Sequence, residues 1–317
     1  FIGAAVAKQL HDDGHVVVGV DSLADNYSLD LKLERIRTMP QALRSRLFID
    51  DVRDSPRLRA IMDQYRISIV LHLAARPGVR EPMSRLPDYV ASNLTGFGSV
   101  LDNALASEIE LLVYASSSSV YGEATREVLS EDDAPLEPVS VYGVSKLTNE
   151  LLAAAASRNT PLQTLGLRFF TVYGPWGRPD MLPMKVMSAA LAGRAFDLNG
   201  GGRAIRDFTF IDDVVQAVSM IVAPTRPKVL PTVLNVGGGS QRSVMDVVEL
   251  VEHFLGLPLR WNDMPWDSRD VGRTCASTQL IETTFGWRPT IPLEQGIRAL
   301  YDWANTNEIR NRLESWM

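Results

Sequence analysis

Through its first two-thirds the chain alternates short, nearly continuous apolar runs with longer helical segments. That order leads to a parallel sheet covered on both faces. His15–Asp21, Leu47–Asp50, Ile67–Leu73, Ile109–Ser116 and Pro161–Phe170 read as buried strands. Ala4–Asp13, Ser55–Tyr65, Asp88–Leu105 and Val141–Arg158 read as the helices between them. From Tyr173 the pattern loosens, with Pro175, Pro179, Pro183 and the Gly200-Gly201-Gly202 turn. Helices near Asp212–Val222 and Ser243–Leu255 and a strand at Thr232–Val236 complete the reading. The expected class is α/β, a doubly wound parallel sheet with a smaller C-terminal α/β lobe. Residues 1–174, joined by about 206–238, form the expected nucleotide-binding part, interleaved with a lobe at 175–317.

Phe1-Ile2-Gly3 opens directly into a helix, and the next strand ends in Asp21. A doubly wound sheet uses a central first strand. The given sequence is therefore expected to lack that strand and the first glycines of a phosphate loop. Gly3 would be the last of those glycines, at a close helix–strand contact. Asp21 lies 18 residues beyond Gly3. A carboxylate there accepts hydrogen bonds from ribose hydroxyls and repels a 2′-phosphate, which favours NAD over NADP. Asp51-Val52 ends the third strand, where adenine would lie. Leu73-Ala74-Ala75 ends the fourth with small residues that let a cofactor approach. Arg76 reads equally well as a phosphate contact or as a solvated loop cation.

The chemistry-bearing stretch is Ser116-Ser117-Ser118-Ser119-Val120-Tyr121-Gly122, followed by Tyr142-Gly143-Val144-Ser145-Lys146. A Tyr and a Lys four apart share one helix face. A nearby ammonium stabilises a tyrosinate, so Tyr142 is expected to take a hydroxyl proton with Lys146 lowering its pKa. Ser117, or Ser119 if the strand stays extended, would orient the oxygen that loses that proton. Beside a hydride acceptor, such a site oxidises a secondary alcohol. Tyr-x-x-x-Lys alone is common on solvated helices; the serine run gives it weight.

A 317-residue chain with 45% hydrophobic content can bury a large core. A net charge of −6 gives no sign of a nucleic-acid partner. The lone Cys275 rules out an intramolecular disulfide, and His11, His15, His72 and His253 show no metal-ligand spacing, so no metal is expected. No apolar run is long enough to span a bilayer, and no signal peptide is seen, which makes a cytoplasmic protein with no membrane partner the plain expectation.

With these residues in place, the chain resembles the extended short-chain dehydrogenase/reductase family, whose fold is the Rossmann sheet, and within it the nucleotide-sugar epimerases. The likeness rests on Phe-Ile-Gly at 1–3, His-Leu-Ala-Ala at 72–75, Asn93, Ser-Ser-Ser-Ser-Val-Tyr-Gly at 116–122, Tyr142 with Lys146, Arg206-Asp207-Phe208 before Ile211-Asp212-Asp213, and Gly-Trp-Arg-Pro at 286–289. The stretch Arg168–Met181 looks like that of the UDP-glucuronate 4-epimerases. The resemblance implies a cofactor site made by Phe1, Ile2, Gly3, Asp21, Asp51, Val52, Leu73, Ala74, Ala75, Arg76, Asn93, Tyr142 and Lys146. It implies a substrate site at Ser117, Ser118, Ser119, Thr171, Arg178, Met184, Lys185, Gly200, Arg206 and Arg269. Arg178 offers a planar fork for a C6 carboxylate, and Thr171 replaces the Asn common where the sugar is neutral.

Related enzymes that eliminate water or carbon dioxide carry carboxylates where this chain has Ser118-Ser119. Their absence implies reversible oxidation and reduction at C4 of a UDP-sugar, UDP-glucuronate, with NAD regenerated in each cycle. A neutral UDP-hexose is the alternative substrate, and a non-catalytic NAD-binding module a weaker alternative. Near 267–271 the chain departs from its relatives: Asp267 stands at their Arg or Gln position, and Arg269 replaces a Gly. Arg269 is the candidate phosphate contact there. The resemblance also implies a homodimer through a four-helix contact of the Asp88–Leu105 and Val141–Arg158 helices.

Overall fold

In a computed structural model the chain is described at residues 1–123, 126–267 and 269–316. The strands are β1 (Gly19–Val20), β2 (Leu47–Phe48), β3 (Ile69–His72), β4 (Leu111–Ser117), β5 (Gln163–Phe169), β6 (Thr171–Tyr173), β7 (Phe196–Asn199), β8 (Ile205–Arg206), β9 (Phe208–Phe210), β10 (Val233–Val236), β11 (Arg242–Ser243) and β12 (Trp261–Met264). A four-stranded parallel sheet runs in the order β10-β5-β4-β3, and β1 and β2 form a separate parallel pair. Expected strands therefore appear, but shorter: of His15–Asp21 only Gly19–Val20 pairs, because its partner β2 is itself two residues long.

The continuous apolar runs follow from coverage on both faces. Along β4, Leu111 and Val113 enter one core cluster, while Leu112 and Tyr114 enter another on the opposite face. Strand alternation sends neighbouring side chains to opposite sides, so both must be apolar when both are covered. The larger cluster continues through Val214, Val218, Trp287 and Ile297.

Helix Val141–Asn159 starts at Ser140, whose hydroxyl accepts from the Gly143 N–H at 3.1 Å, a normal N-cap. The helix expected at Asp88–Leu105 runs without a break from Leu86 to Ala106, widened to a π-type turn at Val90–Thr95. The loosened region after Tyr173 also holds order that sequence pattern did not give. Helices Leu182–Leu191, Leu293–Ala304 and Asn307–Trp316 and the pairs β6–β9, β7–β12 and β8–β11 form there.

Several motif residues are structural. Asp207, fully buried, accepts from the backbone N–H groups of Gly238, Gly239 and Ala276. Asp213 accepts from Thr290 and Ile291 while the Trp287 indole donates to the Asp213 carbonyl, tying the 211–213 and 286–291 segments together. Gly122, at φ +73°, passes Glu137 so closely that a Cβ would stand 1.9 Å from its carbonyl oxygen. Among the described residues no helix is long and apolar enough to cross a membrane, and no group of three or more His, Cys, Asp or Glu could hold a metal.

Candidate active site

One cavity of about 1470 Å³ runs from the β1 and β3 edges, past the end of β4, to the loops at 178–185 and 264–271. Of the expected cofactor residues, Phe1, Ile2, Gly3, Asp21, Asp51, Val52, Leu73, Ala74, Ala75, Arg76, Tyr142 and Lys146 line it. So do Ser117, Ser118, Ser119, Thr171, Arg178, Lys185, Arg206 and Arg269. Asn93, Met184 and Gly200 are not on its wall.

At the centre, β4 delivers Ser117 and then stops extending: Ser118–Val120 is a 3₁₀ turn. Ser119 therefore does not lie two residues along on the same strand face. Its hydroxyl instead donates to Ser117 Oγ at 3.0 Å, and its backbone N–H donates to the same oxygen at 3.2 Å. The turn packs against the helix of Tyr142 and Lys146. Gly143 is what permits that approach, since a Cβ there would lie 2.7 Å from the Ser119 carbonyl oxygen.

Tyr142 and Lys146 share a helix face, but their electrostatics differ from expectation. Lys146, 2% exposed, donates to the Ala115 carbonyl at 2.8 Å, and burial lowers its pKa to about 8. Its Nζ stands 5.7 Å from the Tyr142 ring centre. Burial pushes the Tyr142 phenol above its ordinary value; the opposing pulls come first from Arg178 and then from Ser117. Arg178 thus supplies the first of the pulls that oppose burial at Tyr142, while the Lys146 ammonium donates to the Ala115 carbonyl of β4.

On the cofactor side, Asp21 accepts from the Leu23 N–H at 2.8 Å and remains on the cavity wall. Asp51 is paired with Arg53 through both carboxylate oxygens. Gly3 does not create a tight contact: a Cβ would meet Leu73 Cδ1 at an ordinary 3.8 Å. Asn93 is 1% exposed and brackets the Arg76 backbone, accepting from its N–H at 2.7 Å and donating to its carbonyl at 3.0 Å and to Ser145 Oγ at 2.9 Å. It positions the loop and does not face the cavity. Arg76 Nε is buried without a hydrogen-bond partner. A buried donor with no acceptor on a wall of small residues suits an anionic dinucleotide such as NAD.

At the far end, the Arg178 guanidinium is bidentate to Asp180, with Nε to Oδ1 at 2.9 Å. Arg206 donates to the Ile205 carbonyl at 2.8 Å and to Asp270 at 2.7 Å. Asp270 also pairs with Arg80 at 2.5 Å, so two arginines from distant segments flank one carboxylate. Arg269 is folded back on Asp267 at 2.7 Å: the two residues that depart from the family pattern satisfy each other. Met184 is 3% exposed within the core, and Gly200 lies beneath the Trp266 ring, which lines the cavity in its place. Sequence reading missed Arg80, Arg35, Trp266 and Asp270. Arg80 carried a signal, four residues beyond Arg76 after a Pro-Gly turn, and Asp270 lay within the 267–271 stretch that departs from the family pattern.

The profile of the NAD dependent epimerase/dehydratase family matches residues 1–237. A probable UDP-glucuronate 4-epimerase of Rhizobium meliloti (strain 1021) is 35% identical, over 97% of this chain and 95% of its own. The UDP-glucuronic acid 4-epimerase of Bacillus cereus, solved with UDP-glucuronic acid and NAD, superposes with a TM-score of 0.88 at 29% identity, over 96% of this chain and 95% of its own. MoeE5, solved with UDP-glucuronic acid and NAD and also with UDP-glucose and NAD, superposes at 0.85 with 34% identity, over 96% and 95% of the two chains.

Proposed function

Since the chain belongs to the NAD dependent epimerase/dehydratase family, we propose that it interconverts UDP-glucuronate and UDP-galacturonate by inverting C4 through a 4-keto sugar. The observation that carries the reading is the company Tyr142 keeps: hydroxyls from Ser117, Ser118, Ser119 and Thr171 and the guanidinium of Arg178 share its cavity. With serines at 118 and 119, no carboxylate stands there to drive elimination.

NAD, when bound, supplies a reversible hydride acceptor, and Asp21, Leu73–Arg76 and Lys146 are the residues that would hold it. Tyr142 accepts the O4 proton and returns it when the hydroxyl re-forms. Ser117, fixed by two hydrogen bonds from Ser119, orients O4. Arg178 and Thr171 grip the C6 carboxylate. That grip has a second use, because a β-keto acid loses carbon dioxide when its C–C bond aligns with the ketone π system. Arg206 and Arg80 face the diphosphate, and the sugar turns about that anchored linkage to present its other face.

Incubating the protein with UDP-glucuronate and NAD and separating the sugars chromatographically tests this. A galacturonate product is expected; a pentose product would mean decarboxylation. A neutral UDP-hexose is the second reading, favoured by the structural likeness to MoeE5 with UDP-glucose and by the counter-charge that Asp180 already gives Arg178. The proposed organisation is a nucleotide part at 1–174 plus about 206–238 and a sugar lobe at 175–317. A homodimer belongs to the same proposal, supported by Val90, Val144, Leu151 and Leu152, each exposed on the helices expected at that contact. Light scattering of the eluting protein tests it.

A further inference from the structure

The loop that carries Arg178 also carries a rival for it. Asp180, two residues on, holds Nε and Nη2 of the guanidinium with both carboxylate oxygens. Both residues line the cavity, Arg178 at 24% side-chain exposure and Asp180 at 48%. The backbone beneath them is pinned. Arg35, 4% exposed, donates to the Trp176 and Gly177 carbonyls at 2.8 Å each, and the Met181 N–H closes on the Arg178 carbonyl at 3.2 Å. Trp176 packs edge-on against Trp303, their ring centres 5.2 Å apart. Exchange at this place is therefore a matter of side chains, with the loop as a fixed platform.

We propose that Asp180 is a specificity-determining residue that competes with the substrate's carboxylate for the Arg178 fork. The proposal rests on the uronate reading of the same site. A guanidinium edge receives one carboxylate bidentately. A second anion brought to the same cation meets like-charge repulsion from the first, so a uronate binds only as Asp180 yields the edge or shares the charge. Asp180 is half exposed, and turning it into water costs little. The exchange of one carboxylate for another leaves the charge of the wall unchanged and holds uronate affinity below what an unopposed fork would give, which helps product leave. A neutral hexose makes no claim on Arg178 and leaves the pair closed.

The test is calorimetric titration of the NAD-loaded protein and its Asp180→Asn variant with UDP-glucuronate and with UDP-glucose. The substitution should tighten UDP-glucuronate about threefold to fivefold, the weight of one partly exposed ion pair, and leave UDP-glucose binding unmoved. Asp180→Glu, which restores the charge, should return uronate affinity toward the wild-type value. Weaker uronate binding in Asp180→Asn would overturn the proposal, since Asp180 would then be orienting Arg178 and not opposing it. An equal shift for both sugars would overturn it as well. Failure of the underlying uronate reading looks different: Arg178→Ala would then leave the affinity for UDP-glucuronate unchanged.

Discussion

The helix bearing Tyr142 lies against the serine turn with Gly143 on the Ser119 carbonyl, where an added Cβ would stand 2.7 Å from the oxygen. The opposing atom is backbone, so it cannot swing aside. Gly143→Ala should move the helix outward and cut kcat about 10²-fold, the cost of an ångström-scale misplacement of reacting groups. Gly98→Ala is the control, since Gly98 sits in a helix with nothing within 4 Å of its Cβ position. That variant should keep full activity with an unchanged or raised Tm.

Tyr142→Phe removes the proton acceptor and keeps the buried ring, while the pull that the Ser117 hydroxyl exerts on the phenol is lost with it. Turnover should fall by about 10² to 10⁴, the usual weight of a general base, with the circular dichroism spectrum unchanged. Activity within tenfold of wild type would remove Tyr142 from the role.

Arg178 has two roles in the proposed reaction, and pH separates them. Burial raises the Tyr142 phenol and Arg178 supplies the largest opposing pull. Deleting a cation disfavours the phenolate, so Arg178→Ala should shift the ascending limb of the kcat/KM profile to higher pH. Arg178→Lys retains the charge and should leave the limb near its wild-type position, yet lose the fork and raise KM for the uronate. The pair of profiles checks both roles.

Beneath the site, Arg168 is bidentate to Glu150 at 2.9 and 2.8 Å, with both side chains buried, and Glu150 also accepts from Ser116. Removing one partner leaves a charge with no compensation in the interior. Arg168→Leu should cost about 3–5 kcal/mol in urea unfolding, and Glu150→Leu in the same chain should recover much of it.

What was legible in the sequence follows from which forces act locally. β4 and β5 announced themselves because two-sided burial requires unbroken apolar runs. The helix at Ser55–Tyr65 was readable to the residue from its periodicity and its Asp54 cap. Tyr142, Lys146 and the serines were legible as a set because helix spacing and strand order converge on one cavity. The rest depends on distant partners. Ser119 turns toward Ser117 only because β4 ends there, and Arg269 and Asp267 find each other across a loop. Asn93 and Met184 face inward for packing reasons that no local pattern carries. Arg80 and Arg206 meet at Asp270 although 126 residues separate the two arginines (206 − 80).

Lys146 gives a stability test with a definite sign. Its ammonium is buried, and its pKa falls to about 8 from the usual 10.5. Between those values the unfolded chain binds more protons at this site than the folded one, so the folded state gains on the unfolded as pH rises through that window. Below pH about 8 both states hold the proton and the full penalty of burying the charge is present. Lys146→Met has no such penalty. Urea unfolding of the two proteins at pH 7, 8, 9 and 9.5 should therefore show wild-type stability climbing relative to Lys146→Met, by up to about 2 kcal/mol over the last one and a half units. Taking the difference between the two proteins cancels the titration of every other group they share. A flat difference across the series would mean that Lys146 titrates in the folded protein as it does in the unfolded chain, and that the ammonium is solvated in spite of its seat against the Ala115 carbonyl.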